Sequence, residues 1–214
     1  MMAYTTSGGC VRKRLGAATP AGPTPEERLQ RLNTTIQAIT TDDVRTVVSC
    51  IPGNIEVGAV YELVLGASEG KAHKVKATLL HLALHHRAHH CAKLLLHLGA
   101  STEATESDLG DCAIHCAVRM GSYELVMLLL EYGASPTSVN ASLDTPLHLA
   151  AEKGLVHVVK TFLDAGADPV AKNRYLETPW DVAVLAGSPS AVACADLILT
   201  KYLAIRDDGG LPVV

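Results

Sequence analysis

The sequence predicts an all-α fold, a solenoid of about five stacked helix-turn-helix units. Two motifs recur along the 214 residues at intervals of 33 or 34. The chain is 48% hydrophobic but only 4% aromatic, so Ala, Leu and Val must build the core. Such small side chains suit closely packed helices better than a sheet sandwich. Short helices that repeat in this way bury their apolar faces only against neighbouring copies.

The first recurring motif is TPLHLAAEKG, residues 145–154, and similar segments begin at Thr78, Asp111 and Glu177. The second is a Gly-Ala pair, found at 66–67, 99–100, 133–134 and 166–167. The pairs are separated by 33, 34 and 33 residues, and the histidines at 81, 115 and 148 by 34 and 33. Both markers therefore place one extra residue between the second and third copies.

Each unit is predicted to contain two short helices. In the fourth unit, Thr145 caps the first helix, Pro146 occupies its first turn, and Gly154 ends it. The second helix has the i, i+3, i+4, i+7, i+8 spacing of one buried face, in Leu155, Val158, Val159, Phe162 and Leu163. Neither helix is long enough to persist alone.

The ends of the chain are expected to differ from the central units. Thr24, Pro25 and Glu27 form a helix start with a capping box, which predicts a capping helix over 24–41. Extending the period backwards predicts a first unit at 42–74, with a turn at 52–54. The other units follow at 75–108, 109–141, 142–174 and 175–203. The tails, 1–23 and 204–214, are too small and polar to order themselves.

The segment TPLHLAAEKGLVHVVKTFLDAGAD, residues 145–168, resembles the ankyrin repeat almost residue for residue. The resemblance covers residues 42–203 and implies an ankyrin-repeat solenoid. Two places depart from the pattern. Arg87 stands where Gly121 and Gly154 end the first helix in later units, and Trp180-Asp181 replaces the Leu-His of TPLH. We expect local strain or looseness at both places.

Composition and motifs exclude several classes of function. The net charge of −4 arises from 18 basic and 22 acidic residues spread along the chain, which argues against nucleic acid as a partner. No apolar run approaches the roughly 20 residues of a membrane span, and the first residues lack a secretory signal. We expect no membrane insertion and a cytoplasmic location, with the nucleus open as a second one. Nucleophile-elbow, phosphate-loop and HExxH motifs are absent, so we predict no enzyme, no small-molecule substrate and no cofactor.

Histidines and cysteines suggest an alternative that the repeat frame weakens. His81, His115 and His148 occur once per unit, which predicts a structural role; the resemblance implies that they bond loop backbone. Six of the ten histidines lie in 81–97, and the i, i+4 pairs His85/His89 and His86/His90 have metal-binding spacing. A metal-binding or pH-sensing protein using His81–His97 is thus the alternative. Because Arg87 interrupts both pairs, solvated histidines and reduced, buried cysteines are favoured.

The resemblance implies a noncatalytic module that binds another protein through its concave helix face and loop tips. Arg119, Met120, Arg174 and Tyr175 are expected to contribute most, because Arg, Met and aromatic side chains supply large contact areas. The family's contact positions fall on Lys74, Val75, Ala77, His85, His86, Asp108, Leu109, Asp111, Arg119, Met120, Ser142, Asp144, Glu152, Lys153, Arg174, Tyr175, Glu177 and Leu185.

Overall fold

The computed structural model describes residues 24–50, 58–68 and 71–207. The predicted N-terminal tail at 1–23, the end of the chain at 208–214 and the turn predicted at 52–54 lie outside the described residues. No helix in the described ranges is long and apolar enough to cross a membrane.

The described residues form ten α-helices and one β-hairpin. The helices are α1 (Pro25–Thr40), α2 (Val44–Cys50), α3 (Leu79–His85), α4 (His89–His97), α5 (Ala113–Arg119), α6 (Tyr123–Glu131), α7 (Pro146–Glu152), α8 (Val156–Asp164), α9 (Pro179–Ala186) and α10 (Pro189–Asp207). The strands β1 (Tyr61–Ser68) and β2 (Lys71–Ala77) pair in antiparallel fashion. The predicted all-α solenoid is confirmed, and this hairpin is a local addition to it.

The helices stack as five consecutive pairs. The first helices of the pairs, α1, α3, α5, α7 and α9, pack in one row. The second helices, α2, α4, α6, α8 and α10, pack in another. Within each pair the chain reverses at one residue with positive φ. These residues are Asp42 (54°), Arg87 (53°), Gly121 (65°), Gly154 (67°) and Gly187 (64°). The core between the rows consists mainly of Leu, Ala, Val and Cys, as the composition indicates.

The first pair corrects the predicted boundaries. α1 is not a separate cap, because it pairs with α2 and packs on α3 as later first helices do. The turn at Asp42 precedes that at Arg87 by 45 residues, which is twelve more than the usual interval of 33. The described helices therefore group as a first pair over 25–50, which differs from the predicted division into a cap at 24–41 and a unit at 42–74. At the other end, α10 continues to Asp207, four residues beyond the predicted end of the last unit at 203.

The additional residues include the hairpin, where the period predicts a second helix. Tyr61, Val64 and Val75 favour extended backbone, and Gly66 costs about 1 kcal/mol within a helix. The strand register shifts between Val64 and Ala67, at a place where glycine accommodates a bulge. Gly66 is therefore not equivalent to Gly99, Gly133 and Gly166, which end helices with φ of 86°, 82° and 87°.

Three buried histidines connect consecutive units, which confirms their predicted structural role. His81 Nε2 bonds the carbonyl of Asp111 at 3.3 Å, His115 Nε2 that of Asp144 at 3.0 Å, and His148 Nε2 that of Glu177 at 3.1 Å. Each bond spans about 30 residues, from a first helix to the loop that precedes the next first helix. The histidines therefore fix the position of each loop relative to the helices.

The two predicted departures are both accommodated by hydrogen bonds. Arg87 adopts the same left-handed turn as the glycines, and its guanidinium donates to the carbonyl of Met120. Asp181 takes the place of the histidine in α9, where its carboxylate accepts the backbone N–H of Thr178 at 2.8 Å and its hydroxyl at 2.6 Å. The expected looseness is thus not present in the last unit, whereas Arg87 retains the strain of positive φ.

Asp42 connects the first unit to the second by capping a helix of its neighbour. Helix α4 follows Ala88, which offers no capping side chain. The Asp42 carboxylate instead accepts the N–H of Cys91 at 2.8 Å and the Nδ1 of His90 at 2.7 Å. Burial raises the pKa of Asp42, but the hydrogen bonds from His90 and Cys91 together lower it by more, so the pKa lies below its ordinary value. The ionised carboxylate therefore stabilises the start of α4.

We expect Asp42→Ala to lower the free energy of unfolding by about 2 kcal/mol, because it removes the cap and leaves a non-glycine residue at positive φ. Asp42→Gly also removes the cap but relieves the strained turn, so its loss should be about 1 kcal/mol. Urea unfolding at neutral pH, followed by circular dichroism, measures both. Equal losses in the two variants would contradict this separation of cap and turn.

Candidate protein-binding surface

The loops that precede α5, α7 and α9 form one continuous edge, which we call the loop edge (residues 106–111, 140–144 and 173–177). Ser107 N–H donates to the carbonyl of Lys76 at the base of β2, at 3.0 Å. Ala141 N–H bonds Leu109 at 3.0 Å, and Arg174 N–H bonds Ser142 at 2.9 Å. Because each loop is hydrogen-bonded to the previous one, the edge is ordered before any partner binds, which reduces the entropic cost of binding.

A buried asparagine holds each of the last two loops. Asn140 Oδ1 accepts two backbone N–H groups of its own loop, and its Nδ2 donates to Asp111 Oδ1 at 2.9 Å. Asn173 makes the equivalent bonds and donates to Asp144 Oδ1 at 3.0 Å. The loop conformation therefore depends on internal side chains, and the residues at the loop tips are free to face solvent.

Two leucines at these tips adopt a backbone conformation that leucine disfavours. Leu143 and Leu176 have φ of 61° and 64°, at the position that Gly110 (φ 65°) occupies in the preceding loop. Left-handed backbone costs a non-glycine residue about 1–2 kcal/mol. Their side chains are 48% and 74% exposed, so little packing compensates for this strain. Exposed, strained residues of this kind are typical of binding sites.

Together with two neighbours, these leucines form an apolar surface that we call the tip ridge (Leu109, Leu143, Tyr175 and Leu176). Tyr175 is 72% exposed and Leu109 is 43% exposed. Arg174 Nη2 donates to the carbonyl of Ala141 at 2.6 Å, which fastens the third loop to the second. Large exposed apolar side chains on adjacent, ordered loops indicate a surface for another macromolecule.

A cleft of about 180 Å³ lies beside the tip ridge, against the first helices α7 and α9; we call it the acidic cleft. It is lined by Asp144, His148, Leu149, Glu152, Asn173, Tyr175, Glu177 and Val182. The three carboxylates, Asp144, Glu152 and Glu177, take part in none of the ion pairs among the described residues. A cleft with this charge and an aromatic wall suits a Lys or Arg side chain of a partner.

The predicted contact residues differ in accessibility. Asp111 and Ala77 are fully buried, so their prediction as contacts is wrong. The Asp111 carboxylate instead accepts hydrogen bonds from the side chains of Asn140 and Arg119. The side chains of Lys74 and Val75, in β2, lie outside the described part of the structure. The exposed residues are His86, Asp108, Leu109, Glu152, Lys153, Arg174, Tyr175 and Leu185. The partly buried ones are His85, Arg119, Met120, Ser142, Asp144 and Glu177.

Two residues expected to contribute most, Arg119 and Met120, make hydrogen bonds within the fold, Arg119 through its side chain and Met120 through its backbone. The Arg119 guanidinium is paired with the buried carboxylate of Asp111, and the backbone carbonyl of Met120 accepts Arg87. Leu143 and Leu176 are not among the contact residues predicted from the sequence. Their register is the signal in the sequence, because Leu143 stands one period after Gly110 and Leu176 stands two periods after it, and a leucine in a glycine position is unusual.

The histidines of 81–97 do not form a single site. His81 is buried in its loop contact, His85 pairs with Glu106 at 3.2 Å, and His90 pairs with Asp42 at 2.7 Å. Across the described residues, one group of three potential metal ligands lies within 4.8 Å, and His85 is its only member from this stretch. Neither pair, His85/His89 or His86/His90, therefore belongs as a pair to a group of three ligands in the part of the chain that the structure describes.

Comparisons with known proteins agree with this architecture. A family model for ankyrin repeats in three copies matches residues 53–140, and a second model, for the ankyrin repeat, matches 142–174. Ankyrin repeat and SOCS box protein 3 of Bos taurus is 33% identical over 70 residues. That match covers 32% of this chain and 13% of the relative, so the chain spans a small part of that protein. Stacked helix pairs, histidine-bonded loops and matched family models lead to one conclusion: the chain belongs to the ankyrin-repeat family.

Proposed function

We propose that this chain is a noncatalytic module that binds another protein through the tip ridge and the acidic cleft. Ankyrin repeats are generally protein-protein interaction modules. The observation that carries the proposal is the pair of exposed leucines at positive φ, Leu143 and Leu176. Both cost stability and neither packs in the core, and a contact with a partner gives each a role that the fold does not.

The surface also indicates the chemistry of the partner. The tip ridge requires apolar side chains opposite it, and the acidic cleft beside Tyr175 requires a cation. A Lys or Arg side chain there would meet three carboxylates and the face of Tyr175, a cation–π contact worth about 0.5–2 kcal/mol. We infer a partner segment in which a basic residue is flanked by apolar ones. Complementary charge of this kind favours selection of the partner and fast association.

The first test identifies the partner and the surface together. Proteins captured by the wild-type chain are compared quantitatively with those captured by Tyr175→Ala, and by Lys160→Ala as a control. Lys160 is exposed on α8, in the other row of helices. The proposed partner is recovered with the wild type and the control and is lost with Tyr175→Ala. Equal recovery with all three chains would argue against this surface.

With that partner purified, Glu152→Lys is expected to weaken binding at least tenfold, or about 1.4 kcal/mol. The new lysine would lie beside the Lys or Arg side chain of the partner and repel it. Glu152→Gln should weaken it less. Calorimetric titrations at low and high salt measure both effects, and the difference between the variants should shrink as salt screens the charges. An unchanged affinity for Glu152→Lys would exclude a basic residue in the acidic cleft.

A further inference from the structure

Three side chains with metal-binding atoms converge between the second and third helix pairs. His85 ends α3, Glu106 lies in the loop after α4, and Cys116 lies in the middle of α5. His85 Nε2 is 3.2 Å from Glu106 Oε2, and the three donor atoms all lie within 4.8 Å of one another. Three separate elements thus bring an imidazole, a carboxylate and a thiol together.

Glu106 departs from the loop pattern of the other units. It occupies the position of Asn140 and Asn173, since the backbone N–H of all three residues bonds the last residue of its loop at 3.0–3.1 Å. The asparagines use their neutral amides to hold their loops. Glu106 has the same burial, with 5% exposure, but carries a carboxylate that is directed to His85. The loop architecture alone does not require this charge.

Cys116 departs from the helix pattern in the same region. It follows His115, whereas Leu82 and Leu149 follow the equivalent histidines His81 and His148. Its side chain is fully buried. Burial, and then the charges of Glu106 and Asp111, raise the pKa of the Cys116 thiol well above its ordinary value. A metal ion between the carboxylate and the sulfur would favour the thiolate, which is the form of cysteine that binds metal ions.

The surrounding charged groups are already neutralised by other contacts. Asp111 is paired with Arg119. His81 accepts the backbone N–H of Thr78 at Nδ1, so it is neutral in this arrangement. A divalent cation would therefore meet one carboxylate and one thiolate, and the resulting cluster would carry no net charge, which suits a buried position.

We propose that His85 Nε2, a carboxylate oxygen of Glu106 and Cys116 Sγ bind one Zn²⁺ ion. Zinc accepts nitrogen, oxygen and sulfur ligands in a tetrahedron, whose donor atoms are about 3.3–3.5 Å apart. The His85–Glu106 distance of 3.2 Å is close to this spacing, and the Cys116 sulfur, within 4.8 Å of both other donor atoms, needs to approach by at most about 1.5 Å. The side chain of His85 is 24% exposed, so a water molecule would complete the tetrahedron from the solvent side. Binding releases the thiol proton to solvent, so affinity increases with pH. The ion would tie α3, the loop and α5 together.

The test uses the full chain without an affinity tag and Co²⁺ as a spectroscopic substitute for Zn²⁺. We expect one Co²⁺ per chain, intense tetrahedral d–d bands and a thiolate-to-cobalt charge-transfer band, all displaced by Zn²⁺. Glu106→Gln and Cys116→Ala should each weaken binding at least a hundredfold, and Cys116→Ala should abolish the charge-transfer band. The matched controls, His86→Gln and Cys91→Ala, alter an exposed histidine and another buried cysteine and should bind as the wild type does.

Thermal unfolding keeps the test decisive if Cys116→Ala does not fold. Glu106→Gln changes one atom and resembles the asparagine of the other loops, so its metal-free form should be at least as stable as the wild type. Zn²⁺ should raise the Tm of the wild type and leave that of Glu106→Gln unchanged. Three results would each overturn the proposal: no Co²⁺ uptake, uptake without a charge-transfer band, or uptake lost with His86→Gln and kept with Glu106→Gln.

Discussion

Replacing His148 with alanine is expected to lower the free energy of unfolding by about 3 kcal/mol, because it opens a cavity and leaves buried polar groups without partners. His148 is 1% exposed. Its Nδ1 accepts the N–H of Thr145 at 3.2 Å and lies 2.8 Å from the Thr145 hydroxyl, while Nε2 donates to the carbonyl of Glu177 at 3.1 Å. One side chain thus caps α7 and fixes the loop before α9.

The same residue predicts a pH dependence. Burial lowers the pKa of His148 and outweighs the backbone bond to Glu177, which raises it. The folded pKa therefore lies below the unfolded value of about 6.5. The contribution of neutral His148 is fully present above about pH 6.5 and is lost as the pH falls toward the folded pKa. Burial also lowers the pKa of His81 and His115, so each adds to the loss of stability in acid.

Chemical denaturation at a series of pH values between about 5 and 7.5 measures both effects. Each buried histidine contributes at most about 1.4 kcal/mol per pH unit, so His148→Ala should reduce the slope by up to that amount. His157→Ala, at an exposed site on α8, is the control and should change neither stability nor slope by much. If His148→Ala retains the wild-type stability and slope, the histidine does not hold the loop.

The central units could be predicted because their signals are local and repeated. Thr145, Pro146 and His148 form a helix start that can be read within four residues, and the same residue types return one period away. The burial of the histidines and the positive φ at Gly121 and Gly154 follow from that repetition. A stack of equivalent units needs its turns at equivalent positions, so the repeat register alone predicts where the turn residues and the buried histidines lie.

The first unit could not be predicted because its spacing breaks the period. Carrying an interval of 33 residues back from Arg87 assumes a loop of constant length, and the hairpin lengthens that loop. The true turn residue is Asp42, an aspartate at positive φ whose carboxylate caps a helix 49 residues later. Short polar residues tolerate this conformation, but only tertiary contacts distinguish such a turn from an ordinary loop.

The candidate sites were predicted in part. Exposed loop residues such as Tyr175 and Arg174 follow from the repeat frame, whereas the burial of Asp111 depends on Asn140 and Arg119 reaching across from neighbouring elements. The group of His85, Glu106 and Cys116 spans 31 residues and three elements. Sequence spacing gave no reason to connect them, because each residue alone fits an ordinary interpretation: a surface histidine, a loop acid and a core cysteine.

Replacing both tip leucines with glycine should change stability and binding in opposite directions. Leu143→Gly with Leu176→Gly relieves two strained left-handed residues, so the free energy of unfolding should rise by about 1 kcal/mol after the greater freedom of glycine in the unfolded chain is included. The same change removes two apolar side chains from the tip ridge. We expect partner affinity to fall about a hundredfold, or 2.7 kcal/mol. Urea unfolding and calorimetric titration of the captured partner measure the two quantities.

The double alanine variant, Leu143→Ala with Leu176→Ala, separates the two causes. Alanine keeps the strain of positive φ but removes most of the side chain, so affinity should fall as it does with glycine while stability does not rise. Gly110→Ala is the reverse control: it adds strain and brings its Cβ within 3.0 Å of Ala141 N, so it should lower stability. If the glycine variant gains stability and binds like the wild type, the leucines are strained for no reason connected with recognition. A glycine variant that gains stability and loses affinity for the partner would instead show that the two leucines serve partner binding at the expense of the stability of the fold.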